Sequence, residues 1–249
     1  MVSERYRARV SYVGTNFHGW QVQKNAARTV QAVLSHALSS LAGSSVRVEG
    51  ASRTDAGVHA EGQVIHFDLP SRRAPEVIRD AVNHRLPDDV RLLEVAAAAP
   101  GFHARHDAAW KEYVYRWSRA EVIDPRDAPY VAPISPGASL ARMRACAALV
   151  PGTRDFGVFA VRLAPGETTE RTLHALTVEE DGADLRALFR GDGFLRGMVR
   201  SISGVLADAA RGKAPTERAG ELLATGDRRL LSPKAPAKGL TLVRVSYGE

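Results

Sequence analysis

The spacing of apolar and polar positions predicts helices and strands along the chain, beginning with a clear helix in the first fifth. Apolar residues recur every three or four positions between residues 29 and 43, at Val30, Val33, Leu34, Ala37, Leu38 and Leu41. This spacing predicts one buried helix face, with Thr29 as the N-cap and Gly43 as the C-terminal stop. Other patterns predict strands over 6–14, 45–51, 62–69 and 89–98, and a helix over 74–86.

The second half of the sequence repeats this mixture. Residues 110–119 alternate, which predicts a strand with Tyr113, Tyr115 and Trp117 on one face. Four prolines between residues 124 and 138 predict a loop. The remaining patterns predict helices over 139–150 and 194–212, strands over 171–180, 184–191 and 240–248, and a turn at Asp181-Gly182.

These elements favour an α+β fold. Both halves combine hairpin-like strand pairs with helices, and neither shows strict strand–helix–strand alternation with a phosphate-binding glycine turn. We therefore expect two similar units of antiparallel or mixed sheet with flanking helices, joined near residues 104–109. The predicted division is an N-terminal unit over 1–106 and a C-terminal unit over 107–249.

The positive charge of the chain favours a nucleic-acid partner. The 249 residues carry a formal charge of +6, and only five of the 34 basic residues are lysine. Guanidinium groups match phosphate geometry and stack on bases, so an arginine-rich chain favours a nucleic-acid partner. A biased genome composition would enrich arginine and alanine equally well.

Several classes of site are disfavoured. Cys146 is the only cysteine, which excludes an internal disulfide and a cysteine-rich metal site, and its apolar surroundings predict a packing role. No apolar run approaches 18 residues and no signal-peptide pattern opens the chain, so we expect a cytoplasmic protein without a membrane partner. His103 and His106 alone have near-ligand spacing, and a pair without a third ligand is a weak metal site. We expect neither metal nor cofactor.

The run SRTDAGVHA, residues 52–60, contains the most concentrated chemistry in the chain. In an extended segment Arg53 and Asp55 project to the same side, and an adjacent cation favours the ionised carboxylate. An ionised aspartate can act as a nucleophile or a general base. A hairpin turn, with Gly57 providing the special backbone conformation, explains the same residues, and spacing alone does not decide between the two.

Ordered motifs across nearly the whole chain resemble the tRNA pseudouridine synthase A family. RTDAGVHA followed by GQVIHF resembles the family's catalytic region, and YVGTNFHGWQVQ its first strand and loop. VNHRLPDDV, FHARHDA and KEYVYRW are similar to its central segments, and GFLRGMVRSISG and APAKGLTLVRVSY to its last helix and strand.

The resemblance implies a role for each matched position. Asp55 is implied to be the catalytic aspartate, and Arg53 a basic residue that helps to hold the everted nucleotide's place. Tyr113 is implied to stack on the target base, Arg200 to pair with the aspartate, and Leu240 to line the uracil pocket.

The resemblance also implies a fold and a reaction. The expected enzyme is a homodimer of two-unit chains with a central basic cleft, which converts uridine to pseudouridine at positions 38, 39 or 40 in the anticodon stem-loop of tRNA. It uses neither cofactor nor metal, because the reaction is an isomerisation. The aspartate could attack the sugar, attack the base or abstract the 2′ proton, and the sequence leaves these routes open.

Other interpretations of the same residues remain. Tyr113 could be a core aromatic, Leu240 ordinary strand packing, and Arg200 part of a solvated helix face. Ser52 stands where the family usually has glycine, and relatives often carry histidine near Arg196. Alternative functions are a non-catalytic tRNA-binding module of the same fold, or a hydrolase, which would usually need a second carboxylate or a metal.

Overall fold

The computed structural model describes residues 3–24, 28–163 and 166–248. Its strands are β1 (Glu4–Tyr12), β2 (Glu49–Gly50), β3 (His59–Leu69), β4 (Val90–Ala97), β5 (Trp110–Ser118), β6 (Ala132–Pro133), β7 (Gly152–Asp155), β8 (Glu170–Asp181), β9 (Asp184–Gly191) and β10 (Leu240–Ser246). The α-helices among these residues are α1 (Val30–Ala42), α2 (Pro75–Asn83), α3 (Leu140–Ala147), α4 (Met198–Ala210) and α5 (Arg218–Thr225). None of them combines the length and hydrophobicity that a membrane crossing requires.

The chain divides into two compact units. The first contains Met1–Ala109 together with Leu242–Glu249, and the second contains Trp110–Thr241. The sequence prediction placed the division between residues 106 and 107 and assigned the C-terminal strand to the second unit. The last eight residues, Leu242–Glu249, return to the first unit. A division of the chain by sequence order cannot show this, because their partners lie more than 100 residues away.

In the first unit, β1 lies between β4 and β3 and is antiparallel to both. Alternate residues of β1 are buried, namely Tyr6, Ala8, Val10 and Tyr12, as expected when one face of a sheet packs on a core. The predicted first helix is confirmed: the Thr29 side chain accepts a hydrogen bond from the Ala32 N–H, and Gly43 ends α1 with a left-handed backbone, φ 68°.

In the second unit, β5, β9, β8 and β7 are neighbours in that order, each pair antiparallel, and β6 runs parallel to β5. The β8–β9 hairpin turns at Gly182, where φ is 61°, which confirms the predicted turn. Helix α3 packs against α4 and β8. The α+β prediction with antiparallel and mixed sheet pairing is confirmed.

Some predicted boundaries were wrong. The expected strand over 45–51 is reduced to the two residues of β2. The expected helix over 194–212 begins only at Met198, because Gly197, with φ 77°, is not helical. A Cβ at this residue would lie 2.8 Å from Cγ2 of Val161, so the position also requires glycine. Two elements were not predicted: α5, which has eight residues, and β7, whose four residues are all exposed and carry no apolar alternation.

Candidate functional site

Residues 52–58 form a loop that leads from β2 into β3 and carries Asp55, whose side chain is half-buried. The Val58 N–H donates to the Asp55 carbonyl over 3.2 Å, and Gly57, the third residue of this turn, has φ 79°. A positive φ at that place is the pattern of a type II turn, which favours glycine. The catalytic loop, as we call residues 52–58, therefore contains the glycine turn that the sequence suggested, with Asp55 at its first position.

The side chain of Gln63 on β3 holds the start of the catalytic loop. The Ser52 N–H donates to Oε1 of Gln63 over 3.1 Å, and Nε2 of Gln63 donates to the Ser52 carbonyl over 2.7 Å. Gln63 is completely buried. Among the residues that the structure describes, Arg162 is the non-glycine with positive φ, so Ser52 has a backbone that any residue adopts. Serine in place of the family's usual glycine is compatible with this backbone.

The middle of the catalytic loop is held by the last residue of β1, Tyr12, and by residues that follow β1. The Trp20 N–H donates to the Thr54 carbonyl over 3.0 Å, and the Thr54 hydroxyl shares a 2.8 Å hydrogen bond with the Tyr12 hydroxyl. Gly19 has φ 88°, and a Cβ there would lie 2.8 Å from the Thr54 carbonyl oxygen. The close approach of these two backbones requires glycine at position 19.

The end of the catalytic loop also lies against the residues that follow β1. A Cβ at Gly14 would lie 2.0 Å from the Val58 carbonyl oxygen, so the backbones touch there. His59 is buried, and its Nδ1 accepts a hydrogen bond of 3.1 Å from the Gly14 N–H. The histidine of the SRTDAGVHA run thus helps to attach the loop to residues 14–20. Contacts at its start, middle and end fix the backbone that carries Asp55.

The surroundings of Arg53 differ from those that local spacing predicted. Its side chain is exposed, and within the described parts of the chain its guanidinium makes no ion pair or hydrogen bond. The expected Arg53–Asp55 pair is therefore not found. The prediction assumed an extended segment, and residues of a tightly held loop need not alternate like those of a strand. The Arg53 side chain is exposed to solvent, where a ligand can reach it.

Tyr113 lies on β5 opposite Phe189 of β9 and is 5% exposed. The Phe194 ring meets it edge-on, with centroids 5.1 Å apart and an interplanar angle of 82°. Tyr115 and Trp117 follow on the same face, with ring centroids 4.4 Å apart. Tyr113 is thus the first member of an aromatic row on β5.

Arg200 lies in the first turn of α4 and is half-buried. Its Nε donates to the Ala235 carbonyl over 2.9 Å, and the Ala235 N–H donates to the Arg200 carbonyl over 3.0 Å. The fully solvated interpretation of Arg200 therefore does not hold. Leu240 is the first residue of β10 and is 5% exposed.

The two sets of expected site residues belong to different units. Arg53 and Asp55 share one loop of the first unit, and Tyr113, Arg200 and Leu240 are part of the second. Gln63 was not predicted, and its only signal in the sequence is an amide side chain directly before the apolar pair Val64-Ile65.

The two histidines of FHARHDA contact each other through tilted rings. The His103 and His106 rings lie 4.2 Å apart, and Nδ1 of His103 accepts hydrogen bonds from the backbone N–H groups of Arg105 and His106. In the described ranges no three His, Cys, Asp or Glu side chains gather as metal ligands would. Cys146 is buried as expected, and burial raises the pKa of its thiol.

Comparison with known proteins places these features in a family. The family model described as tRNA pseudouridine synthase matches residues 8–107 and 145–248. Proteins called tRNA pseudouridine synthase A are similar over almost the full length. One from Solidesulfovibrio magneticus is 43% identical, covering 98% of this chain and 91% of the relative. One from Geobacillus kaustophilus is 40% identical, covering 99% and 95%, and one from Oleidesulfovibrio alaskensis is 38% identical, covering 98% and 96%. The chain belongs to the tRNA pseudouridine synthase family.

Proposed function

We propose that this protein converts uridine to pseudouridine at one or more of positions 38, 39 and 40 in the anticodon stem-loop of tRNA, with the Asp55 carboxylate as its catalytic group. Isomerisation of tRNA uridine is the reaction of the family to which the chain belongs. The observation that carries the assignment to Asp55 is the catalytic loop, in which a half-buried carboxylate stands on a backbone held by Gln63, Thr54 and Gly19.

One carboxylate is sufficient for this chemistry. Pseudouridine formation breaks the N1–C1′ bond of uridine, rotates the base and joins C5 to C1′, and the net reaction transfers neither electrons nor phosphate. Attack on the sugar, attack on the base and abstraction of the 2′ proton all require an ionised carboxylate in a fixed position. A loop held at its start, middle and end provides that position, because catalytic geometry tolerates little displacement.

The remaining residues are proposed to bind the nucleotide. Removing a base from its stack costs a few kcal/mol, and stacking on the Tyr113 ring returns about 1–3 kcal/mol. Leu240 gives the uracil an apolar contact. Arg53, which is exposed and makes no ion pair in the described structure, is proposed to contact the everted nucleotide or its phosphate. Arg200 is proposed to act on Asp55 as a counter-charge.

We further propose that the enzyme is a cytoplasmic homodimer. The support is the sequence resemblance. Light scattering of the purified protein measures the assembly directly: a mass near twice 26.9 kDa is expected, and a mass of 26.9 kDa would contradict it.

The experiment that tests the function is pseudouridine mapping on unmodified tRNA transcripts incubated with the purified protein. Carbodiimide-dependent stops in primer extension should appear at one or more of positions 38, 39 and 40 where the transcript has uridine. A matched transcript with cytidine at these three positions should show none. Tight tRNA binding without any pseudouridine would favour the alternative, a non-catalytic tRNA-binding module. Stops confined to another region of the tRNA would contradict the proposed specificity.

A further inference from the structure

A basic cavity of about 280 Å³ lies within the second unit, between the end of β5 and the C-terminal half of α4. Trp117 contributes an aromatic wall, Gly204 and Asp208 line the cavity from α4, and Arg211, Lys213 and Lys234 stand around it. All of these residues fall between Trp110 and Thr241, so the cavity belongs to one unit. The expected nucleotide-binding residues do not include any of them.

One wall of the cavity is a fixed backbone strap formed by residues 233–236. The strap crosses α4 at Gly204, where a Cβ would lie 2.1 Å from the Pro233 carbonyl oxygen. The Ala235 N–H donates to the Arg200 carbonyl over 3.0 Å, and the Tyr115 hydroxyl donates to the Pro236 carbonyl over 2.7 Å. Burial raises the pKa of the Tyr115 hydroxyl, so this donor stays protonated. The cavity is therefore preformed.

The charges around the cavity do not cancel. The Arg211 guanidinium lies 3.6 Å from the Asp208 carboxylate and donates to the Pro133 carbonyl over 3.3 Å. In residues 3–24, 28–163 and 166–248, the ammonium groups of Lys213 and Lys234 make no hydrogen bond or ion pair. Three cations against one carboxylate in a concave surface concentrate anions there.

The cavity continues the aromatic row of β5. Because successive strand side chains alternate between faces, Tyr113, Tyr115 and Trp117 share one face. Trp117 lies four residues beyond Tyr113, about 13 Å along the strand. Arg200 is bonded to Ala235 in the strap itself. The Tyr115 and Trp117 rings are buried, so it is the spacing that connects the two places: a base on Tyr113 and a phosphate in the cavity are close enough to belong to one short stretch of RNA.

We propose that this cavity binds a phosphodiester group of the RNA substrate, with Lys213 and Lys234 as its principal ligands and Arg211 as a third cation. This inference rests on the proposed function, since it adds a phosphate site to the RNA path that Tyr113 begins. The ligand chemistry is that of a phosphate group, which inorganic phosphate shares with RNA. An ammonium group is a compact point charge that suits a phosphate oxygen without demanding a fixed fork geometry.

The test is tRNA binding by the Lys213→Gln/Lys234→Gln variant as a function of salt. The matched control is Arg154→Gln/Arg229→Gln, which removes the same charge from two exposed residues of the second unit that do not line the cavity. Loss of one phosphate contact should lower the slope of log Kd against log salt by about 1. Affinity at low salt should fall about tenfold. The control and the charge-preserving Lys213→Arg/Lys234→Arg variant should keep the wild-type slope.

Further readouts distinguish the sources of phosphate and the two proposals. KM for tRNA should rise in the glutamine variant, and the rate with saturating tRNA should stay unchanged. Added inorganic phosphate should compete with tRNA for the wild-type protein and less for the variant. Loss of phosphate competition with unchanged tRNA affinity and slope would show a site for free phosphate and overturn the proposal. A slope that falls equally in the control would also overturn it. If the wild-type protein made no pseudouridine, the proposed function would fail, and the salt slopes would still decide the cavity.

Discussion

Replacing Gln63 with methionine is the sharpest structural perturbation of the catalytic loop. The variant keeps the side-chain length and nearly the volume, so little cavity is left in the core. It removes both hydrogen bonds to Ser52, of 3.1 and 2.7 Å. The Ser52 N–H and carbonyl then lose the partners that set the start of the loop, three residues before Asp55.

The expected loss of stability follows from these two bonds. A backbone group left buried without a partner costs about 1–3 kcal/mol. Gln63 is completely buried, but Ser52 is half-buried, so water can replace part of what is lost. We expect a loss of about 2–4 kcal/mol in the free energy of unfolding. For a chain of this length that corresponds to a Tm lower by roughly 5–15 °C.

The expected loss of activity is larger than the loss of binding. Displacement of a catalytic group by about 1 Å can reduce the rate about 100-fold. Of the residues proposed to contact RNA outside the catalytic aspartate, Arg53 alone lies in this loop, so Kd for tRNA should change less than threefold, a margin of about 0.6 kcal/mol. The assay is single-turnover pseudouridine formation with excess enzyme at a temperature below the lowered Tm, alongside a thermal melt and a tRNA-binding titration. Gln23→Met is the control, because Gln23 is exposed and its hydrogen bonds are long, at 3.5 Å.

Three results would contradict these expectations. A Gln63→Met enzyme with a wild-type single-turnover rate would show that the loop keeps Asp55 in place without the amide. A wild-type Tm would show that the Ser52 bonds contribute nothing to folding. A loss of tRNA affinity as large as the loss of rate would show that the substitution acts on substrate binding rather than on the position of Asp55.

Two further predictions concern the first unit. Gly19→Ala places a non-glycine at φ 88° with its Cβ 2.8 Å from the Thr54 carbonyl oxygen, so both stability and the single-turnover rate should fall; Gly43→Ala, also at positive φ but with open space around it, should lose about 1–2 kcal/mol and keep its rate. Burial lowers the pKa of His66, whose Nδ1 accepts the Ala104 N–H. The folded protein thus resists a proton that the unfolded chain takes up near pH 6.5, and the free energy of unfolding should fall as pH drops from about 6.5 toward the folded pKa. Urea denaturation at pH 7.5 and 5.5 measures this fall, and a His66→Phe variant with the same fall would contradict the assignment.

Local signals predicted the elements that local interactions determine. The helix that starts after Thr29 was predicted because its cap, its apolar stripe and Gly43 lie within 15 residues of each other. The helix that starts at Met198 was predicted four residues too long at its start. Gly197 lies against Val161, 36 residues earlier, whose N–H donates to the Arg196 carbonyl over 2.8 Å, and periodicity does not register such a contact.

The candidate site could not be predicted from local patterns alone. Spacing left Asp55 compatible with both a turn and catalysis, and in the structure Asp55 is in fact the first residue of a turn. Whole-chain resemblance, rather than the local pattern, distinguished the two. The support for the loop stayed hidden because Gln63 and Thr54 act through partners 11 to 42 residues away. Their sequence signature is only a polar side chain in a buried segment.

The most direct test of the central claim is pseudouridine formation by Asp55→Asn under single-turnover conditions. The substitution removes the carboxylate and preserves the size of the side chain. Glu61→Gln, an equal change of charge at an exposed position of the same unit, is the matched control. We expect Asp55→Asn to fold, to bind tRNA with an affinity close to that of the wild type and to form no detectable pseudouridine, while Glu61→Gln remains active. Pseudouridine formation by Asp55→Asn at a rate near that of the wild type would contradict the assignment.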